Sequence, residues 1–356
     1  MSTAAPSPPT LGLADLSPSN FGMVMATGIV SIAMHQLGHP RLALALLAVN
    51  AVLYGALWLL SALRLLRHPA RVRADLLDHA RAPGFFTWVA ATGVLGSQCV
   101  LLAGAWRAGW WLWGLTVALW LLLVYGILTL LTVRATKPAL ERGINGVWLL
   151  TVVATQSIAV LGVLLAPQLA GGAQHALYFM ALALWLSGGM LSIWIMGLIF
   201  YRTTFLALAP EALTPPYWIN MGAMAISTLA GAQLVLAAPQ LPWLRSLQPF
   251  IEGFTLFYWA SGSWWIPMLL LLGVWRYVIR RVPLRYDPMY WGAVFPLGMY
   301  AVCTLALARA LELDFLAWLP PLFGAAALLA WMLAFGGLLH RIGRQLRQAG
   351  RRLHSL

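Results

Sequence analysis

Apolar runs of about 20 residues recur along almost the whole chain, and each is long enough to cross a membrane as a helix. Of the 356 residues, 62% are hydrophobic and only 9% are charged, whereas soluble domains hold about 25% charged residues. Too few polar side chains remain to cover a water-soluble globule. The sequence therefore predicts an all-α polytopic membrane protein with short connectors and no separate soluble domain.

The apolar runs predict ten membrane-spanning helices. We place them at residues 19–37, 42–64, 84–104, 109–133, 146–166, 175–200, 217–238, 251–275, 289–308 and 315–338. This division gives an N-terminal tail (1–18), a transmembrane domain (19–340) and a basic C-terminal tail (341–356). An even number of spans puts both tails on the same side of the membrane.

The basic residues are distributed unevenly between the two sides of this topology. Only Arg41, Arg107, Arg245 and Arg309 fall on the side opposite the tails, and the other 18 of the 22 Lys and Arg residues share the side of the tails. The positive-inside rule then predicts that both tails are cytoplasmic. Topology also explains the net charge of +13, because the basic residues lie in the connectors between apolar runs. Since the charge has this explanation, we expect no nucleic acid partner. No Lys or Arg precedes the first apolar run, so a cleavable signal peptide is not expected.

A repeat is visible when the odd-numbered spans are aligned on the aromatic residue that begins each one. These aromatics are Phe21, Phe86, Trp148, Trp218 and Trp291, spaced by 65, 62, 70 and 73 residues. The spacing predicts five tandem helical hairpins in a quasi-fivefold ring around a central pore. Residues 221–232 of the seventh span are mostly small, whereas the even-numbered spans are rich in Leu, Ile, Trp and Met. We therefore expect odd spans inside and even spans against lipid.

Several of these segments resemble the slow-type anion channel, tellurite-resistance and dicarboxylate transporter superfamily. The resemblance runs over about residues 19–340 and rests on NFGMVMATGIVSIA (20–33), DLLDHARAPGFFTWVAATGVLGSQ (75–98), NGVWLLTVVATQSIAVLG (145–162), TPPYWINMGAMAISTLAGAQL (214–234) and YWGAVFPLGMY (290–300). It implies ten helices around one pore per protomer, a homotrimer and a bacterial plasma (inner) membrane location.

The resemblance also implies that Phe295, in the segment VFPLGMY, plugs the pore. Pro296 has no N–H to donate, so the carbonyl of Gly292 loses its helical partner and a kink is expected there. The alternative is that Phe295 only packs beside a structural kink. Phe21 is a candidate second constriction, but its position at the start of the first helix favours packing.

The acidic residues all lie in predicted connectors, in the tail or near span ends, so no carboxylate is expected at mid-membrane. This disfavours proton- or sodium-coupled carriers and cation filters. Uncharged polar residues remain as pore-lining candidates, with bridging between helices as the alternative for each. They are Thr27, Ser31, Thr92, Ser97, Gln98, Thr155, Gln156, Ser157, Thr228 and Gln233.

Two function classes follow. The first is passage of small inorganic or organic anions, such as sulfite, chloride or nitrate, through a phenylalanine-gated pore, as a channel or an exporter. The alternatives are a proton-linked carrier of malate-like dicarboxylates and a tellurite-resistance permease. His35 and His39 form at most half a metal site because Pro40 follows them and no third ligand is apparent. We expect neither a metal, nor a cofactor, nor an enzymatic activity.

Overall fold

The computed structural model describes residues 12–283 and 286–353, and this part of the chain is helical and contains no strand. It is organised around ten long helices. These are α1 (Gly22–Gln36), α2 (Pro40–Arg67), α3 (Phe86–Ala103), α4 (Trp106–Val133), α5 (Leu150–Leu165), α6 (Gly171–Phe205), α7 (Ile219–Ala237), α8 (Gln248–Val274), α9 (Trp291–Ala310) and α10 (Leu319–Leu353).

Length and composition identify nine of these helices, all except α1, as able to cross a membrane, within the residues that the structure describes. Helix α1 has 15 residues and is extended at its N-terminus by a short turn, Pro18–Phe21. The predicted all-α polytopic class is confirmed. The full ten-span ring around a pore stays a prediction, because α1 is shorter than the other helices.

Each inner helix begins after a single 3₁₀ turn, and the aromatic residue found by the repeat either starts the helix (Phe86, Trp291) or lies in that turn (Phe21, Trp148, Trp218). Four of these turns carry proline at one of their first two positions, where its missing N–H costs nothing because the first donors of a helix have no helical acceptor. The fifth turn, Gly146–Leu149, is capped instead by Asn145, whose side chain accepts a hydrogen bond from the backbone N–H of Val147. Local sequence therefore fixes where the inner helices start.

Contacts between the odd-numbered helices close on themselves in the order α1, α3, α5, α7, α9 and back to α1. Each even-numbered helix packs on the inner helix before it in the chain and touches the next inner helix as well, with α10 touching α1. The most apolar windows of α3, α5, α7 and α9 are 67–94% buried, against 17–39% for the even-numbered helices. The predicted inner and outer sets are thus the observed ones.

Helix α9 approaches its two inner neighbours closely at glycine residues. A Cβ on Gly222 of α7 would lie 2.8 Å from Cγ of Pro296, and a Cβ on Gly298 would lie 2.9 Å from Cγ2 of Ile29 on α1. Since real Cβ atoms do not come this close to other heavy atoms, both positions require glycine for the observed helix spacing.

Four outer helices have an arginine at their C-terminal end that binds a backbone carbonyl. Each of these carbonyls belongs to the segment that comes just before the hairpin containing that outer helix. The pairs are Arg64 with Ala14, Arg134 with Leu77, Arg202 with Glu141 and Arg276 with Pro210. The buried Arg64 also forms an ion pair of 2.7 Å with Asp75. Much of the positive charge on this face is therefore used to hold connectors in place.

Burial lowers the pKa of the connector residue His79, and the nearby charge of Arg134 lowers it further.

The two predicted tails differ from expectation where they are described. Helix α10 runs through the predicted boundary at residue 340 and ends at Leu353, so most of the predicted C-terminal tail continues a helix. At the other end, residues 1–11 of the predicted tail and residues 354–356 lie outside the described part of the chain. Within residues 12–18, Leu13–Asp15 forms a short 3₁₀ turn that contacts α2.

Candidate functional site: two cavities on the axis of the inner helices

Two cavities lie between the five inner helices. We call the side on which the inner helices begin the N-side and the opposite side the C-side. Each inner helix contributes to the wall of the N-side cavity, with Met25, Thr87, Leu150, Ile219 and Phe295. The C-side cavity is also lined by all five inner helices. Together the cavities mark the axis of the ring.

The wall of the C-side cavity follows one helical register in every repeat. Positions i, i+3 and i+7 lie on one face of a helix, and the lining residues of the first four inner helices have this spacing. They are Ile29, Ile32 and Gln36 on α1, Val94, Ser97 and Leu101 on α3, Ser157, Val160 and Leu164 on α5, and Ile226, Leu229 and Gln233 on α7. Helix α9 supplies the first two positions with Met299 and Val302. In four of the five inner helices the first axis-facing residue follows the aromatic of the repeat by eight positions, and in α5 Ser157 follows Trp148 by nine.

Phe295 lies at the inner end of the N-side cavity. It is four residues before Met299 of the C-side wall, about 6 Å along a helix. One turn before the C-side register, the other inner helices carry Met25, Ala90, Val153 and Gly222. Three of these four side chains are small, so this layer leaves room for one large ring.

The ring of Phe295 is 1% exposed. Among the described residues it has no aromatic partner, whereas the ring of Phe21 packs against those of Tyr54, Trp58 and Trp88. The Phe295 side chain therefore lacks the ring contacts that hold Phe21. Phe21 itself belongs to an aromatic cluster at the start of α1 and is not among the residues that line either cavity.

Pro296 and Gly292 belong to an uninterrupted helix. Helix α9 continues through Pro296 from Trp291 to Ala310, so the missing hydrogen bond of the proline does not end the helix. The proline ring faces Gly222 on α7, and Gly292 contributes to the wall of the N-side cavity. The turn that contains Phe295 thus lacks one backbone hydrogen bond and is held by a close contact to α7.

Three threonines that were candidates for the pore wall instead bind aromatic side chains of outer helices. Each threonine hydroxyl forms a hydrogen bond with an indole or phenol group on the outer helix of the neighbouring, preceding hairpin. The pairs are Thr27 with Trp331 (2.9 Å), Thr92 with Tyr54 (2.9 Å) and Thr155 with Trp120 (2.8 Å). Thr304 on α9, which sequence reasoning missed, binds Trp259 in the same way at 3.0 Å. These contacts repeat at four of the five junctions between successive hairpins.

Most of the other polar candidates also bridge helices. The Ser31 hydroxyl donates to the carbonyl of Ala43 (2.7 Å), the Gln98 oxygen accepts from the Asn50 amide (2.8 Å), and the Gln156 amide donates to the carbonyl of Trp185 (3.1 Å). The Thr228 hydroxyl donates to the carbonyl of Met224 on its own helix, at 2.9 Å.

In this structure none of the seven residues Thr27, Ser31, Thr92, Gln98, Thr155, Gln156 and Thr228 lines either cavity. The physical reason is their register. Thr27, for example, precedes the axis-facing Ile29 by two residues, which is more than half a turn of helix. The bridging alternative therefore describes the contacts of six of the seven, Thr228 being bonded within its own helix, and a pore-lining role is not supported by this arrangement.

The polar residues that do line the C-side cavity are Gln36, Ser97, Ser157 and Gln233. Sequence reasoning included the last three and missed Gln36. The repeat could have identified Gln36, because Gln36 occupies in the first repeat the position that Gln233 occupies in the fourth.

No Asp, Glu, Lys, Arg or His is among the described residues that line the two cavities. Their walls are apolar apart from hydroxyl, carboxamide and indole groups. A pathway of this kind offers a permeant ion only dipoles and polarisable surfaces, and it holds no fixed charge that would bind a cation or carry a coupled proton.

The fold and the axial cavities define a polytopic helical membrane protein of the channel or transporter type. The chain belongs to the SLAC1 family, described as voltage-dependent anion channels, which it matches over residues 15–339. This membership supports anion transport across a membrane as its activity.

Three relatives illustrate the range of the similarity. An uncharacterized membrane protein of Mycobacterium tuberculosis is 38% identical over 160 residues, which are 45% of this chain and 81% of that protein. An uncharacterized transporter of Methanocaldococcus jannaschii is 25% identical over 80% of this chain and 82% of its own length. The sulfite efflux pump SSU1 of Trichophyton rubrum is 24% identical over 91% of this chain and 90% of its own length.

Proposed function

We propose that the chain passes small anions, such as sulfite, chloride or nitrate, along the axis of the inner helices, with Phe295 as the gate. The observation that carries this proposal is the pair of axial cavities, of which the N-side one is lined by Phe295, and in whose walls the described residues include no ionisable group. The similarity to a sulfite efflux pump supports a small oxyanion among the substrates.

Anions are favoured over cations because the positive residues cluster at one face. The basic ends of the outer helices surround the N-side, and no carboxylate is among the described residues that line the two cavities. A positive rim raises the local concentration of anions, and the neutral path then binds them weakly enough to release them.

We propose further that both ends of the chain are cytoplasmic, that the protein lies in a bacterial plasma membrane and that it assembles as a homotrimer. The uneven distribution of Lys and Arg supports the orientation. The trimer and the membrane rest on the family resemblance.

Reconstitution into liposomes tests the proposal. Reversal potentials in a salt gradient should follow the anion, and a reversal potential that follows the cation would contradict it. Fluxes of chloride, nitrate, sulfite and malate, compared with and without a pH gradient, separate a channel from a proton-linked dicarboxylate carrier. Malate uptake that requires the pH gradient would favour the carrier, and tellurite flux tests the permease alternative.

A further inference from the structure

The C-side cavity holds two carboxamides at one level. The first axis-facing residue is Ile29 on α1 and Ile226 on α7. Gln36 and Gln233 each lie seven positions after that residue on their helix. Because the repeats share one register, the two glutamines belong to the same outermost layer of the cavity. Helices α1 and α7 both contact α9 and so flank it on its two sides.

Neither of these carboxamides forms a hydrogen bond with a described residue, and the Oε1 atoms of both are buried without a partner. Buried polar groups are nearly always paired, and leaving one unpaired costs free energy. Gln98 and Gln156, also on inner helices, each form a hydrogen bond to a neighbouring helix. Nε2 of Gln98 and Oε1 of Gln156 are also buried without a partner, so what distinguishes the two cavity glutamines is that they form no hydrogen bond with a described residue.

The serines of the same cavity have a different role. The Ser97 hydroxyl donates to the carbonyl of Gly93 at 3.0 Å, and the Ser157 hydroxyl donates to the carbonyl of Ala154 at 2.7 Å. In this arrangement their protons are used within their own helices, and they present oxygen lone pairs to the cavity. The free N–H donors of this wall are therefore those of the two carboxamides, whose oxygen and nitrogen can exchange places by a rotation of the amide.

We propose that Gln36 and Gln233 form a binding layer for a small oxyanion at the C-side end of the pathway. This inference rests on the proposed function and names the chemistry that selects its substrate. Two N–H donor groups on opposite sides of α9 can each bind a separate oxygen of one planar or pyramidal oxyanion. A spherical halide presents a single centre, so it gains less from two separated donors.

Bi-ionic reversal potentials test this layer, with nitrate on one side of the membrane and chloride on the other. The variants are Gln36→Leu, Gln233→Leu and the double variant, which remove the donors and keep most of the volume. The matched control is Gln240→Leu, an exposed glutamine in the turn that follows α7. The ratio of permeabilities does not depend on how many molecules fold, so reduced expression does not affect the readout.

We expect the nitrate-to-chloride permeability ratio to fall about three- to tenfold in the double variant, the range for loss of one or two neutral hydrogen bonds, with smaller falls in the single variants. The control should keep the ratio of the unsubstituted protein. An unchanged ratio in a double variant that still conducts anions overturns the binding layer and leaves the proposed function standing. If the unsubstituted protein and the Phe295→Ala variant both pass no anion, the proposed function fails and the layer fails with it.

A second pair of variants applies if the leucine variants yield no folded protein. Gln36→Glu and Gln233→Glu keep the shape of the side chain and place a negative charge in the layer. The permeability of nitrate relative to potassium should then fall at least tenfold at neutral pH. A ratio that stays the same contradicts the proposal.

Discussion

The indole Nε1 of Trp331 on α10 donates a hydrogen bond of 2.9 Å to Oγ1 of Thr27 on α1, joining residues 304 positions apart in the chain. The Thr27 hydroxyl in turn donates to the carbonyl of Met23 at 2.7 Å. This contact joins the last hairpin to the first, and equivalent contacts join other successive hairpins. Four of the five junctions between hairpins thus have a bond between an outer aromatic and an inner threonine, and at the fifth the indole of Trp185 on α6 donates to the carbonyl of Ser227 on α7.

Replacing Trp331 with Phe should therefore lower the stability of the protein by about 0.6 kcal/mol, the average for hydrogen bonds between membrane helices, with about 1.7 kcal/mol as the upper limit. A double-mutant cycle with Thr27→Val, followed by unfolding in detergent, measures the coupling. Trp111→Phe is the control, because Trp111 is 82% exposed. A coupling energy of zero would show that the bond does not contribute.

The gate prediction separates a plug from a packing residue. Phe295→Ala should raise anion conductance per molecule tenfold or more, since removing about 1.4 kcal/mol of barrier already gives a factor of ten. Phe295→Leu keeps most of the bulk and should stay mostly closed. If Phe295 only packs, the alanine variant should lose about 3–5 kcal/mol of stability without added flux. Single-channel recording or flux normalised to folded protein distinguishes the two results.

The contact between Gly222 and Pro296 sets the distance between α7 and α9 beside the gate. Gly222→Ala would place a methyl group 2.8 Å from Cγ of Pro296. The two helices must then separate, and we expect a loss of about 1–3 kcal/mol of stability together with altered basal flux. Gly253→Ala on α8 is the control, because nothing lies within 4 Å of its added Cβ. Thermal unfolding and flux assays on both variants make the comparison, and equal effects would rule out the contact as the cause.

The orientation prediction uses single cysteines in a background without Cys99 and Cys303. Ala135→Cys lies in the exposed connector between α4 and α5 on the N-side, and Gly172→Cys lies at the exposed start of α6 on the C-side. An impermeant maleimide added to intact cells should label Gly172→Cys at once and Ala135→Cys only after permeabilisation. The reverse pattern would place both ends of the chain outside the cell.

Sequence reasoning predicted the helices and their inner or outer positions because both depend on local composition. The aromatic residue that marks the start of each inner helix, such as Trp148 or Trp291, lies in or directly after a turn whose proline or capping asparagine is also readable from the sequence. The apolar runs likewise predict from local sequence that the chain is a membrane-spanning protein. Helix ends were less accurate: α6 begins at Gly171, four residues before the predicted position, and α10 continues to Leu353.

The faces of the inner helices could not be predicted in the same way. These helices are buried on all sides, so they carry no polar stripe that would indicate a direction. Thr27, which was expected in the pore, binds an outer helix, and Gln36, which was overlooked, faces the cavity. Aligning the repeats by their axis-facing register, rather than by polarity, would have placed Gln36 beside Gln233.

The sequence by itself determined the membrane class, the hairpin repeat and the separation of inner from outer helices, since hydropathy, small residues and turn residues act within one helix. Only the tertiary structure decided which side chains meet on the axis. The rotation of each inner helix is set by contacts from distant parts of the chain, such as Trp331 with Thr27 and Pro296 with Gly222. Those contacts place Phe295 in the wall of the N-side cavity, and residues so far apart in sequence leave no local pattern that would predict them.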